Sequence, residues 1–144
     1  MKYLNYIVSS ILLLFVPIYG ILIAVGTAIV LDTVTGISKS VTLHGWKSIR
    51  SKKLSHIVSK MTLYEICILL LFVIDKFVLN EFIIKSFGIE YMFTKICAIL
   101  LIFIELVSIK ENVEETFKID IWTLVKKALL RAKEIKEDVE DLKV

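Results

Sequence analysis

Three carboxylates interrupt long apolar segments of this 144-residue chain. Asp32 follows twenty-nine uncharged residues, Tyr3 to Leu31, while Glu65 and Glu105 lie inside two later apolar runs. A carboxylate costs about 2.5–3.5 kcal/mol or more at the centre of a bilayer-spanning helix, so it is kept where a partner satisfies it or where it has a use. These acids are therefore candidates for helix contacts or for a hydrated path within a membrane.

Two arrangements of the acids remain open. They could line a hydrated seam at similar depth in three spans, or they could pair with cations that reach in from the interface. The candidate cations are Lys39, Lys60 and Lys110. For Glu65 and Glu105, simple anchoring at the headgroups is at least as good an interpretation. Asp32 is harder to explain in that way, because it lies about fourteen residues, or roughly 21 Å, into its span.

Asp32 belongs to a ridge of small residues. The ridge recurs every four residues and consists of Gly20, Ala24, Ala28, Asp32 and Gly36, with Thr35 as a neighbouring hydroxyl. Small residues at this spacing let helix backbones approach closely in lipid. We therefore predict that the ridge, together with Glu65 and Glu105, forms a helix-packing or pore-lining seam.

The elements that position these residues are dictated by hydropathy. Apolar residues make up 57% of the chain, and the mean hydropathy is +0.79, well beyond the roughly 45–50% apolar content of soluble domains. A chain of this size could not bury so much apolar surface, so lipid is its natural solvent. The predicted fold class is an all-α membrane protein with about three transmembrane helices, an N-terminal interfacial helix and a C-terminal cytoplasmic amphipathic helix.

The predicted transmembrane domain covers residues 17–109, with spans at about 17–37, 61–79 and 91–109. As one helix the first apolar stretch would be about 44 Å long, too long for a hydrocarbon core of about 30 Å, and Pro17 divides it. Residues 1–16 then form a separate helix in the interface; one long kinked span is the alternative. We expect this segment to be retained, because the apolar run outlasts a secretory signal.

A basic segment, predicted as a loop over residues 39–60, separates the first two spans. It has no acidic residue, and its cations are Lys39, Lys47, Arg50, Lys52, Lys53 and Lys60. The connection at 80–90 has no such excess, so the positive-inside rule places the basic loop and the C-terminus in the cytoplasm. Orientation and attraction to lipid headgroups explain these cations better than nucleic acid binding does.

Residues 110–144 form a charged amphipathic tail. Apolar residues from Ile121 to Leu142 alternate four- and three-residue steps, which gives an a/d seam over about three heptads. Alanines at two seam positions weaken a coiled coil. The tail helix could pack on its own protein or on the membrane surface, or it could associate with a second copy.

Enzymatic signatures are not found in the sequence, and we expect no catalytic site, cofactor or metal. The two histidines, His44 and His56, both lie in the basic segment and suggest neither a paired-histidine metal site nor a Ser–His arrangement. No glycine-rich phosphate loop is present. Cys67 and Cys97 lie in apolar runs and are interpreted as small buried hydrophobes.

Two short segments resemble the phage lysis and toxin-secretion holin family. Residues 30–36 (Val-Leu-Asp-Thr-Val-Thr-Gly) carry an Asp with a Gly four residues later and are followed by the basic segment. Residues 104–112 carry the Glu, Ser-Ile and Glu-Asn cluster that closes the last span in this family. Order, spacing and loop charge agree from about Pro17 to Asn112, while the leading helix and long tail are less typical.

The resemblance implies a protein that accumulates in the host cytoplasmic membrane, self-associates, and at a set moment opens lesions. The lesions let an endolysin out or collapse the proton gradient, so the implied partners are the lipid bilayer, further copies of the chain and, indirectly, an endolysin. The alternative is a non-permeabilising membrane anchor or assembly subunit that docks a cytoplasmic partner through its tail. Transport through the three acids fits less well, because three short spans offer no inverted repeat.

Overall fold

The computed structural model describes residues 2–46 and 51–141, and this part of the chain is helical without any strand. The helices in chain order are α1 Lys2–Phe15, α2 Tyr19–His44, α3 Ser51–Ile74, α4 Asn80–Phe87, α5 Met92–Phe117 and α6 Ile121–Asp141. A 3-10 turn, Val16–Ile18, joins α1 to α2, and a π-helical segment, Asp75–Leu79, joins α3 to α4. The predicted all-α class is confirmed.

Three helical stretches are long and apolar enough to cross a bilayer: Asn5–His44, Ser55–Phe87 and Met92–Phe117. Each extends beyond the corresponding predicted span of about twenty residues. The reason is that hydropathy marks the part of a helix that suits lipid, whereas a helix ends where its backbone is capped. The structure therefore confirms three candidate spans and lengthens the helices that contain them.

Residues with positive φ end these helices. Gly45 (φ 75°) follows α2 and donates its N–H to the Val41 carbonyl at 2.8 Å, while Gly88 (φ 68°) follows α4 and donates to Ile84 at 2.9 Å. Glycine takes such a φ without steric cost. Lys118 (φ 52°) ends α5 in the same way without being a glycine. The turns after α4 and α5 are short.

α6 begins with an aspartate cap. The Asp120 carboxylate accepts hydrogen bonds from the backbone N–H groups of Trp122 (2.9 Å) and Thr123 (3.3 Å) and from the Thr123 hydroxyl (2.7 Å). These donors hold the pKa of Asp120 below its ordinary value, the Thr123 hydroxyl contributing most. Glu114, on α5, accepts the Ile121 N–H at 3.0 Å and so ties the two helices together at the turn.

Pro17 lies in the 3-10 turn between α1 and α2, where its missing N–H and fixed φ suit the start of a new helical segment. The helical stretch Asn5–His44 nevertheless covers 40 residues, roughly 60 Å, or about twice the thickness of the hydrocarbon core. Apolar side chains of α1 such as Ile11 and Leu12 are exposed. That residues 1–16 lie in the interface stays a prediction.

The basic segment 39–60 is largely helical rather than a loop. α2 continues to His44 and α3 starts at Ser51, so residues 45–50 alone connect them. The segment is rich in residues that tolerate a helix, and Gly45 is the residue that breaks it. The predicted connection 80–90 likewise contains α4.

The core of the bundle is small. α2 packs most extensively on α5, and α3 contacts both. The buried residues at its centre are Ile18, Val25, Ile29, Ile68, Phe72 and Ala98. Large apolar side chains elsewhere face outward, as for Leu31, Leu70 and Phe103. Lipid can solvate such a surface, whereas water would drive it to associate.

Candidate functional site

A polar network joins the three spanning helices, and Lys60 of α3 is its centre. The Lys60 Nζ donates to Asp32 Oδ2 on α2 at 2.9 Å and to Glu105 Oε2 on α5 at 2.5 Å. The Asp32 side chain is 15% exposed and that of Glu105 is fully buried. One ammonium group is thus shared by two carboxylates in a region where an unpaired charge is costly.

Asn112 adds a second link between α2 and α5. Its Nδ2 donates to Asp32 Oδ1 at 3.2 Å and to Thr35 Oγ1 at 3.4 Å. Gly36 lies directly against this amide: a Cβ at Gly36 would be 3.4 Å from Asn112 Nδ2, which is van der Waals contact. α2 and α5 therefore approach closely at this glycine, and a side chain much larger than that of alanine would displace Asn112.

The α5 side of the site follows helical spacing. Glu105, Ser108 and Asn112 are at positions i, i+3 and i+7, which share one face of a helix. All three point toward α2 and Lys60: Glu105 and Asn112 through hydrogen bonds, Ser108 as part of the same cleft wall. Of these three α5 residues, the sequence predicts only Glu105 as a site residue. The i, i+3, i+7 recurrence of polar residues in an apolar helix was the signal for the others.

A cleft of about 370 Å³ opens beside the network. Its wall includes Asp32 and Lys60 at the inner end, and His44, His56 and Lys39 nearer the helix ends. The cleft thus opens from the ends of α2 and α3 toward Asp32 and Lys60. In the part of the chain that the structure describes, no group of three or more His, Cys, Asp or Glu could hold a metal ion.

Glu65 lies apart from the network. It borders a second, mostly apolar cleft of about 480 Å³ between α2 and α3, and a Cβ on Gly26 would be 4.0 Å from its Oε1. Glu65 follows Lys60 by five positions, so their side chains point about 140° apart around α3. The structure therefore brings Asp32 and Glu105 together and leaves Glu65 on another face.

The small-residue ridge of α2 is divided between two surroundings. Ala28 is buried and Gly36 contacts Asn112, whereas Gly20 and Ala24 are exposed, with nothing within 4 Å of a Cβ at Gly20. Each four-residue step advances about 40° around the helix, so the ends of the ridge point about 160° apart. The C-terminal half packs inside this chain, and the N-terminal half faces outward.

The predicted headgroup cations have more specific partners. Lys60 was assigned to topology and lipid headgroups, but its ammonium group is held by the network because two carboxylates lie within its reach. Lys39 pairs with Glu115 at 2.7 Å, and Lys110 pairs with Glu114 at 2.8 Å. Lys47 and Arg50 lie outside the described residues, as do the side chains of Lys52 and Lys53.

A second buried polar contact lies about 22 Å from Lys60 along the helix axis, in the π-helical segment that follows α3. Asp75 is 2% exposed, and its Oδ2 accepts hydrogen bonds from the Thr94 N–H at 2.7 Å and the Thr94 hydroxyl at 2.6 Å. Tyr91, the N-cap of α5, makes no side-chain cap hydrogen bond. Asp75 therefore caps α5 from another helical segment. No local sequence pattern predicts this contact, because Asp75 and Thr94 are 19 positions apart.

Three long apolar helices with charges paired between them define an α-helical membrane protein. A sequence model described as the bacteriophage holin family matches residues 9–134, which include both resembling segments and the polar network. The chain therefore belongs to the bacteriophage holin family, membrane-permeabilising proteins of phage lysis, and is a protein of the inner membrane. No curated protein and no solved structure matches it.

Proposed function

We propose that this chain accumulates in the host cytoplasmic membrane, self-associates, and opens lesions that release an endolysin or collapse the proton gradient. The observation that carries the proposal is the sharing of Lys60 between Asp32 and Glu105. It places charges between the helices while the outer surface of the bundle remains apolar. The chain can then reside in lipid in one arrangement and form a hydrated surface in another.

The change between the two arrangements follows from the network. If α3 moved away from α2 and α5, Asp32, Glu105 and Lys60 would lose their ion pairs, and lipid cannot solvate the separated charges. Water between the helices of several copies can do so. The outward half of the small-residue ridge, Gly20 and Ala24, offers a neighbouring copy a surface for close approach.

Timed induction of the chain together with an endolysin, followed with a membrane-potential dye, tests this proposal. We expect abrupt depolarisation after a lag, and release of the endolysin. Asp32→Asn weakens the pair with Lys60, and Gly36→Leu displaces Asn112, so each should shift the time of lysis or abolish it at equal expression. Glu134→Gln removes an exposed carboxylate from α6, away from the network, and should leave the timing unchanged.

The alternative, a membrane anchor for a cytoplasmic partner, is favoured only by the exposed apolar residues of α6. Deleting residues 119–144 separates the two functions. A lesion former should still depolarise the membrane without its tail, whereas an anchor should lose its function. Steady growth of cells in which the intact chain is fully inserted would contradict lesion formation.

A further inference from the structure

α6 has a wide apolar face that is left exposed. At 100° per residue its apolar positions, from Ile121 and Trp122 to Ile135, fall within an arc of about 160°. Trp122 is 63% exposed, Val125 41% and Leu129 66%. Leu130 is the apolar exception, about 160° from the centre of the arc. A surface of this kind in a helix joined to a membrane span needs an apolar environment.

Cations flank the arc on both sides. Lys126 lies about 120° from its centre on one side, and Arg131 and Lys127 lie about 100° and 140° from it on the other. Glu134 lies on the opposite face, about 160° away. The other acids of α6 follow the basic flanks, in the last five residues of the helix: Glu137, Asp138, Glu140 and Asp141. Lys136 falls within the arc, about 40° from its centre, and its long side chain can reach headgroups from there. Basic residues at the edges of an apolar face are typical of helices that lie on anionic bilayers.

The start of α6 is fixed close to the end of a membrane span. Residues 118–120 alone separate it from α5, which belongs to the third candidate span. Lys118 ends α5 with a positive φ, Asp120 caps α6, and Glu114 accepts the Ile121 N–H. α5 continues for about eight residues, or roughly 12 Å, beyond the predicted end of the third span at residue 109, so α6 begins on the headgroup side of the same leaflet.

A second copy of the helix is a poorer occupant for this face. A two-stranded coiled coil would bury the narrow a/d seam, which contains Ala128 and Ala132. Trp122 and Leu129, two of the most exposed apolar residues of α6, lie outside that seam. A bilayer surface covers the whole arc, and the indole of Trp122 suits the headgroup region.

We infer that α6 lies on the bilayer surface, with its apolar arc at the acyl–headgroup boundary and its basic flanks against the phosphates of anionic lipids. The inference concerns how the tail is placed, and it does not depend on lesion formation. It assigns the tail a lipid partner.

Tryptophan quenching in vesicles tests the inference with the full-length chain. The sequence has two tryptophans, so Trp46→Phe leaves Trp122 as the only one. In vesicles containing phosphatidylglycerol, lipids brominated near the headgroup end of the acyl chain should quench Trp122 strongly. In vesicles of phosphatidylcholine alone, quenching should fall at least twofold. Replacing Lys126, Lys127 and Arg131 together by Gln should cause a similar fall in the anionic vesicles.

Two adjacent leucines give a matched control. Leu129 and Leu130 are 66% and 62% exposed, but only Leu129 lies on the arc. Leu129→Ser should reduce quenching at least twofold, while Leu130→Ser should leave it unchanged. Quenching that is absent in wild-type anionic vesicles, or equal effects of the two substitutions, would overturn the inference. A further test introduces Ala128→Cys into a chain that lacks its native cysteines. Copper-catalysed crosslinking between copies through this cysteine, with Trp122 unquenched, would also overturn the inference.

Discussion

At the scale of single residues, the ammonium group of Lys60 neutralises charge between the three spanning helices. It is the cation that faces both Asp32 and the fully buried Glu105, and Glu105 Oε1 is buried with no hydrogen-bond partner. Removing one member of a buried ion pair leaves an uncompensated charge, which typically costs about 3–5 kcal/mol. We therefore expect Lys60→Met to lower the free energy of unfolding by about 3 kcal/mol, measured by reversible denaturation in mixed micelles.

A second substitution distinguishes lost charge pairing from lost packing. Adding Glu105→Gln to Lys60→Met should recover a large part of the loss, because no charge then remains unpaired at the buried position. Lys110→Met is the matched control. The Lys110 side chain is 44% exposed, so breaking its i, i+4 pair with Glu114 should lower stability far less than Lys60→Met does. Additive effects of the two network substitutions would contradict direct pairing.

At the scale of helices, hydropathy located the three apolar stretches, because a bilayer of fixed thickness demands about twenty apolar residues from each span. It could not locate the helix ends. Three of these ends lie at Gly45, Gly88 and Lys118, where the backbone adopts positive φ. α2 and α3 each extend into the basic segment that the sequence predicts as a loop.

The polar network was predictable in part for a related reason. Each buried carboxylate needs a partner, so Asp32 and Glu105 could be recognised as acids that require one. The choice of Lys60 among the available cations, and the reach of Asn112 across Gly36, depend on the register between helices, which no local pattern encodes. The separation of Glu65 from Lys60 could have been deduced, because five residues turn a helix by about 140°.

The register of α3 against α5 leads to a chemical prediction. Cys67 is exposed and Cys97 half-buried, so the interpretation of both as buried hydrophobes is wrong; their free Sγ atoms are 3.9 Å apart. Copper–phenanthroline should therefore oxidise them to an intramolecular disulfide, the two thiols giving two protons and two electrons to the oxidant. We expect the chain to migrate as a monomer and to lose both maleimide-reactive thiols after denaturation.

Cys97→Ser provides the control for this reaction. The variant should keep one reactive thiol under the same treatment, and a reductant should restore both in the wild-type chain. Crosslinks that form only between copies, or two thiols that stay reactive, would contradict the packing of α3 on α5.

At the scale of the whole molecule, apolar side chains cover the outside of the bundle, and Lys60 pairs with Asp32 and Glu105 between its helices. The ends of the spans differ in charge. Six cations and no acid lie in residues 39–60, whereas residues 80–90 hold Lys85 with Glu81 and Glu90. By the positive-inside rule we predict that the turn after α4 faces outward and that α6 is cytoplasmic.

Single cysteines test this orientation in a Cys67→Ser/Cys97→Ser chain. Lys85→Cys on α4 and Lys127→Cys on α6 are matched probes, because both replace exposed lysines on helices. Before depolarisation begins, a membrane-impermeant maleimide applied to spheroplasts should label Lys85→Cys and not Lys127→Cys, since only the former faces outward. Detergent should make both probes reactive, which shows that an unlabelled thiol was shielded by the membrane rather than buried. The reverse labelling pattern would mean that the basic segment does not determine topology, and equal labelling of both probes in sealed spheroplasts would mean that the chain lacks a single orientation.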